Sequence, residues 1–493
     1  MAAQKDTFLY GGAAIPSGES KYSILRWGFG GLNRTDLIDT GQITDCSGVS
    51  IDPPYVMPAV KPKLFLNYSD PQAIFGFGEN LLVIYNDSSS TKIDYVTPEK
   101  IAYTGTLSEK MRVFDYRSAV QFNVATDTEN IVEATFERKI LIFPDAYSMD
   151  FEITGSFTPA SLGSAYPELK YASVYGSRVF GVDDNLVYAS SYNDYADWDL
   201  DTADETSDAN AWVSMSQSNV KADGTFTAIA TYDNHVVLFK SDFMQLVYNN
   251  KNPFRIVDIG TYGCDNPYAV TEAGGVLYFA SADTVYAYGG GTPKSVSDDL
   301  ELDDLRGAVL GAWGDTLYMY AAGSLYTYKN GVWSDLGYPG ADIIQFAAVD
   351  YGLAALFGNG DISFVAWSET AAESASGNGD WTPEYTDDWW FETDLMAAGK
   401  LDIRRVKKLS ILCEADEGAE MTVYLLRNGG KFDESSAVSV GIFKGNGGFG
   451  IMRVLTRQFS GYMHKLRIVG RGRIKIYAVE LKISWGGDVY VDG

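Results

Sequence analysis

A hairpin pattern recurs along this chain: apolar residues alternate with polar ones, a short turn intervenes, and the alternation resumes. It is read in NLLVIYNDSSSTKIDYV (residues 80–96), RKILIFPDAYSMDFE (138–152) and RVFGVDDNLVYASSY (178–192). It returns in HVVLFKSDFMQLVY (235–248), GVLYFASADTVYAYGG (275–290), DTLYMYAAGSLYTYKNGVW (315–333) and GLAALFGNGDISFVAW (352–367). From residue 235 the hairpins begin 40, 40 and 37 residues apart, the length of one four-stranded propeller blade. The earlier spacings are nearer 50, as longer loops would produce. A single blade bears apolar side chains on both faces, and only neighbours on either side can bury them. A closed ring also limits exposed sheet edges. The competing reading of the same hairpins is an extended β-sandwich.

These repeats predict an all-β protein: a β-propeller of about seven blades over residues 64–370. Aromatics make up 14% of the 493 residues, with 33 tyrosines and 50 glycines, which suits half-buried pleated positions joined by tight turns. Residues 1–63 have weak periodicity and carry Pro16, Pro53, Pro54, Pro58 and Pro62. They are expected to form an extended N-terminal arm without a core of its own. Small polar residues and glycine in SETAAESASGNGDW (368–381) mark a linker, set at 371–388. Beyond it LDIRRVKKLSILCEA, AEMTVYLLRNGG, FGIMRVLTRQF, GYMHKLRIVG and GRIKIYAVELKISW alternate strongly, predicting a C-terminal β-sandwich over 389–493.

The net charge of −27 excludes a surface that clamps nucleic acid through a general basic face. The charge is uneven. Residues 397–493 hold sixteen Lys/Arg against ten Asp/Glu, a net of +6, which leaves −33 on residues 1–396. Such polarity suits a stacking assembly; acidic loops that keep a large β protein soluble are the alternative. Cys46, Cys264 and Cys413 are too few and scattered for a disulfide framework or a zinc site. No apolar run approaches the roughly 18–20 residues of a membrane span. Residues 1–7 are polar and lack the apolar core of a signal peptide.

Catalytic chemistry finds little footing. His235 and His464 are the two histidines, each at the start of an expected strand and without a partner histidine. G-x-S-x-G, H-E-x-x-H and P-loop patterns are absent from the sequence. Two acidic clusters, Asp194/Asp197/Asp199/Asp201/Asp204/Glu205/Asp208 and Asp298/Asp299/Glu301/Asp303/Asp304, have oxygen density suited to Ca²⁺. Neither has the spacing of a calcium loop, so both are expected to be solvated loops. The reading is therefore non-enzymatic, with no cofactor, metal or catalytic residue assigned. Trp389 and Trp390 either offer a sugar-stacking surface or staple the propeller and the sandwich together. Arg404, Arg405, Lys407 and Lys408, with Arg471, Arg473 and Lys475, concentrate the positive charge and suit an acidic neighbour, nucleic acid or a solvated strand face.

The segment FGGLNRTDLIDTGQITDCSGVSID (29–52), followed by PPYVMPAVKPK (53–63), resembles the opening of propeller proteins in bacteriophage virions. There a Gly-Gly-hydrophobic-Asn start leads through an acidic segment to a proline-containing stretch. IVDIGTYGCDNPYAVTEAGGVLYFASADTVYAYGGGTPKSVSDDLE (256–301) is similar to the blade in which such proteins carry a Gly-Cys turn, a hydrophobic strand pair and a P-x-x-[IV]-S exit. The resemblance implies a structural component of the virion, of the tail nozzle, DNA-retaining plug or tail accessory type, present in symmetric copies. It carries over no functional residue. On this reading the partners are other virion proteins and further copies in a ring, with packaged DNA passing nearby and no membrane span. The chain would be made in the host cytoplasm without a signal peptide and reside in the phage tail or neck. The arm would order on a neighbour through Ile24, Leu25, Trp27 and Phe29. Arg404, Arg405, Lys407 and Lys408 would supply a second contact. A carbohydrate-binding or glycan-cleaving propeller, motivated by the aromatic loops 192–198 and 381–390, is the alternative.

Overall fold

A computed structural model describes residues 21–485, apart from 36, 108–110, 112–115, 126–135, 164–165, 201–208, 215–223, 249–250, 252–253, 378–379, 397–403, 428–429 and 434–436. Its regular secondary structure, among the described residues, is almost entirely β-strand, and seven of the sheets are four-stranded. Six of these are antiparallel meanders taken in chain order: 71–106, 118–161, 171–213, 228–260, 270–295 and 309–335. The seventh joins Ile343–Val349, Gly352–Phe357 and Asp361–Trp367 to Lys63–Asn67, a strand from the other end of the sequence.

Each hairpin pattern read from the sequence becomes the middle of one such sheet. The strands His235–Lys240 and Gly352–Phe357 are buried at every position, because neighbouring sheets cover both faces. Turn chemistry sets the register. Lys329 pairs with Val332 across Asn330-Gly331, whose φ values of 53° and 81° are those a tight Asn-Gly hairpin turn requires. The first strand of each sheet packs on that of the next, from the second sheet through to the seventh and from the seventh back to the first. Phe77, Leu82 and Ile84 share a core with Ile140 and Ile142, which joins the first sheet to the second. The result is a closed ring, the arrangement of a β-propeller. Closure is tight where the seventh sheet meets the first: a Cβ on Gly76 would lie 1.7 Å from the Ala348 carbonyl oxygen.

The expected free arm is not seen in the described part of the N-terminal segment. Lys21–Trp27 pairs along its whole length with Ile474–Trp485, and the hairpin Val49–Asp52/Tyr55–Pro58 joins the same six-stranded sheet. Ile43–Ser47 becomes the edge of a five-stranded sheet beside Trp389–Thr393. Strands near the C-terminus thus supply the partner the arm was expected to find elsewhere. The linker also departs from expectation. Ser368 caps the helix Glu369–Ser376, accepting from the Ala371 N–H. Trp381 is buried against Phe65, Tyr351 and Phe364, so this segment is strapped to the seventh sheet rather than free.

The six- and five-stranded sheets share a core, with Ile411, Leu481 and Ile476 of one and Val423, Ile468 and Phe391 of the other in a single cluster. That cluster continues into the ring through Trp333, Leu317 and Phe279.

Candidate functional site

The seam between the ring and the two larger sheets is built around Arg34. Its guanidinium donates to Asp335 at 2.8 Å, to Asp45 at 3.1 Å and to the Tyr326 hydroxyl at 3.3 Å. Asp335 ends the outer strand Val332–Asp335 of the sixth sheet, so this one arginine ties the N-terminal segment to the ring. Burial pushes the Asp335 carboxyl above the ordinary value; Arg34 and the Gly337 N–H offset part of that. Backbone bonds continue the seam: the Leu32 N–H donates to the Trp333 carbonyl at 3.0 Å and the Ile51 N–H to the Ser334 hydroxyl at 2.9 Å. Further out, Arg26 donates to both oxygens of Asp394 at 3.0 Å, with both side chains buried.

Beside this seam lies a cleft of about 310 Å³. The hairpin 49–58 forms one wall, and the ends of strands in the sixth and seventh sheets form the others, with Trp313, Tyr318 and Trp367 among the lining. A second space of about 140 Å³ lies among the innermost strands, beside Tyr268 and Gln345. Tyr268 reaches across the middle of the ring: its hydroxyl accepts the Arg117 N–H at 3.0 Å, and its ring meets that of Tyr116 edge-on at 5.2 Å. The fifth and second sheets therefore touch through the axis. Arg117 is itself buried and paired with Asp145 at 2.9 Å.

The residues singled out from sequence separate into two sets. Ile24 and Phe29 are buried in the chain's own core, and Phe29 meets Phe391 edge-on at 5.5 Å. They are corrected from interface to core, because the strand that carries Ile24 pairs internally and Phe29, two residues beyond its end, packs within the same chain. Trp27 is 50% exposed and Leu25 half-buried, on the opposite face of the same strand. Arg405 and Lys407 are exposed and Lys408 is half-buried, beside a break in register. Arg404 begins that strand, with its side chain outside the described residues. Of the other basic residues, Arg473 pairs with Asp416 and Glu414, and Lys475 sits 3.5 Å over the Tyr55 ring.

The tryptophans of the aromatic loops are packed into the fold, while Tyr192 stays 42% exposed. Trp198 packs on Tyr166 and donates to the Tyr195 carbonyl. Trp389 is buried, lies against Gly470 and donates to the Gly472 carbonyl. Trp390 stacks on Arg467 at 3.6 Å, whose other side meets Phe432 at 4.2 Å. Both tryptophans fasten their strand within the five-stranded sheet. In the acidic clusters, Asp194, Asp197 and Asp304 accept backbone N–H groups two residues on, the habit of turn residues. Asp201, Asp204, Glu205 and Asp208 lie outside the described residues. No metal-ligating cluster occurs among the described residues.

His235 is buried, bonded to Tyr288 at 3.0 Å, and burial holds its pKa below the ordinary value. His464 is buried in the five-stranded sheet. The three cysteines are buried thiols; burial pushes Cys413 up to about 11 and Cys264 to about 12, which keeps them protonated and unreactive.

Sequence reasoning missed the outer edge of the larger sheets. Gly448–Gly461 is the last strand of one and Val438–Lys444 the last of the other, both on the side away from the ring. Phe449, Ile451 and Leu455 are 66%, 50% and 78% exposed, and Ile442 is 66% exposed. The signal was present as apolar residues on both faces of FGIMRVL, but such a pattern does not tell which face is covered.

No known family's sequence profile matches the chain, and no curated protein matches it. Among solved structures, the chain is similar to a computationally designed protein, 13% identical, covering 65% of this chain and 95% of that one at a TM-score of 0.37. It is also similar to the WD40 domain of coronin from Toxoplasma gondii, 10% identical, covering 65% and 87% at 0.35. An extracellular domain of a putative hybrid two-component system from B. thetaiotaomicron is 10% identical, at 0.39. The match covers 76% of this chain but 47% of that one. The argument for a ring rests on the sheet order and packing given above. Among the described residues no helix is long and apolar enough to cross a membrane.

Proposed function

We propose that this chain is a structural component of a bacteriophage particle, at the tail or the head–tail junction. In this reading the seven four-stranded sheets are the blades of one propeller, and the two larger sheets form a β-sandwich carried on its rim. Copies of the chain, and other virion proteins, join through the outer edge of that sandwich.

The observation that carries the proposal is that edge. Two strands end their sheets side by side with Ile442, Phe449, Ile451 and Leu455 turned to solvent. An edge strand offers unpaired N–H and C=O groups as a template for pairing with another chain. Residues 437–461 contain three basic residues, no acidic ones and no proline, so an acidic partner surface is favoured. Residues 1–396 supply one in their net −33. Packaged DNA, in this arrangement, passes beside the propeller.

The test is Leu455→Lys combined with Ile451→Lys. Both positions are exposed, so the unfolding midpoint should hold while the solution mass by light scattering falls to that of the single chain. Phage grown with the variant should lack the protein in purified particles. Wild-type chain that is monomeric and absent from particles, or variant chain that incorporates normally, would overturn the proposal.

A further inference from the structure

The cleft of about 310 Å³ beside the seam has the size of the smaller ligand sites, which favour domain junctions. It is made by three separate parts of the chain: the hairpin 49–58, the sixth sheet and the end of the seventh. Its apolar wall combines aliphatic residues and prolines with two tryptophans. Trp313 and Trp367 both line it and are half-buried. Trp367 is held in place, its indole N–H donating to the Trp381 carbonyl at 2.8 Å.

The polar groups in the cleft are mostly uncommitted. The Tyr318 hydroxyl, the Trp313 indole N–H, the Thr327 hydroxyl, the Asn330 amide and the Ser50 hydroxyl make no side-chain hydrogen bond among the described residues. Burial pushes the Tyr318 hydroxyl above the ordinary phenol value, so it stays protonated and able to donate. The charged groups are already engaged. Lys329 is paired with Asp315 at 3.0 Å, and Asp52 accepts from the Tyr55 hydroxyl at 2.6 Å. A cleft with aromatic faces, neutral donors and acceptors, and satisfied charges selects a neutral ligand with one apolar face and several hydroxyls.

We propose that this cleft binds a neutral carbohydrate, stacked on Trp313 or Trp367 and hydrogen-bonded by Tyr318, Thr327 and Asn330. The site binds without cleaving. Glycoside hydrolysis runs on two carboxylates flanking the bond, and Asp52 is the single carboxylate in the described lining. The site is separate from the exposed edge strands, so its failure leaves the assembly proposal standing, and the reverse also holds.

The experiment uses the full chain against a panel of neutral hexose and N-acetylhexosamine oligosaccharides, with sialylated and sulfated glycans as a second arm. Binding is read by saturation-transfer NMR and titration calorimetry. A neutral oligosaccharide should bind with a Kd of roughly 1 mM or below. Trp313→Ala should weaken it more than about tenfold and Tyr318→Phe about fivefold, as the loss of one stacking face and one hydrogen bond. Tyr318→Phe removes a hydroxyl with no protein partner, so its unfolding midpoint should match the wild type and separate lost binding from lost fold. Three results would each overturn the proposal: no neutral sugar bound at tens of mM, stronger binding of the anionic arm, or unchanged affinity in both variants.

Discussion

The ring and the two larger sheets face the same hazard, a strand edge with unpaired backbone groups, and meet it differently. In the ring, the outermost strand of the seventh sheet is Lys63–Asn67, brought from the N-terminal side, so chain ends on both sides of the circle are tied into one sheet. The larger sheets are finished on one side only. Their inner edge, Ile43–Ser47 and Val49–Pro58, is pressed against the sixth sheet through Leu32, Arg34 and Ile51. Their outer edge keeps Phe449, Ile451 and Leu455 in solvent. The ring is complete in itself, whereas the larger sheets are complete on the side that faces it.

The comparison implies that the two regions depend unequally on the N-terminal segment. Removing residues 1–58 while keeping Lys63–Asn67 takes four strands from the larger sheets and none from the ring. Ile476, Leu481 and Phe391, now buried, would be uncovered. The larger sheets should lose nearly all hydrogen-exchange protection, while strands such as His235–Lys240 keep theirs. Equal protection in both regions after truncation would mean that the larger sheets hold themselves together and the contrast is false.

A smaller perturbation cuts one tie. Arg26→Ala leaves the Asp394 carboxylate buried without its partner, a situation that costs about 3–5 kcal/mol. Lys21–Trp27 should detach first, and the loss should appear as an unfolding midpoint that falls for the larger sheets ahead of the ring. Restoring stability with Arg26→Leu in combination with Asp394→Leu would show that the pair serves placement more than net stability. A midpoint unchanged by Arg26→Ala would mean the strand is held by its backbone ladder alone.

Sequence periodicity revealed the ring far better than the larger sheets, and the reason is distance along the chain. In the ring each strand pairs with one a few residues away, as Tyr232 does with His235, so alternation and turn chemistry sit together in one window. In the six-stranded sheet Lys21 pairs with Ser484. Nothing local to either residue marks that match, and the prolines at 53, 54 and 58 made a short hairpin look like an extended arm. The linker helix was legible in principle, since Ser368 and Gly377 stand at its two ends as cap residues do. Ile24 and Phe29 were correctly singled out as needing burial, but the surface that buries them belongs to the same chain. The cleft was illegible because its lining comes from three distant segments.

Acidification separates the two regions by sign. His235 sits in the fourth sheet against Tyr288 of the fifth, and burial holds its folded pKa below the ordinary 6.5. The unfolded chain therefore binds the proton more readily, and the ring's stability from this group is present above pH about 6.5 and lost as pH falls through the folded value. Asp335 and Asp394 at the seam run the other way: burial raises both folded pKa values above the ordinary 3.8 despite their arginines. Their protonation then favours the folded form, so through these groups the seam gains as pH falls toward the carboxylate range. Between pH 7 and about 5, hydrogen-exchange protection, corrected for the intrinsic rate at each pH, should fall at the fourth and fifth sheets while the seam around Asp335 loses none, and His235→Gln should abolish the ring's response. Loss of protection confined to the seam, or persisting in His235→Gln, would mean that another group governs the ring's response to acid.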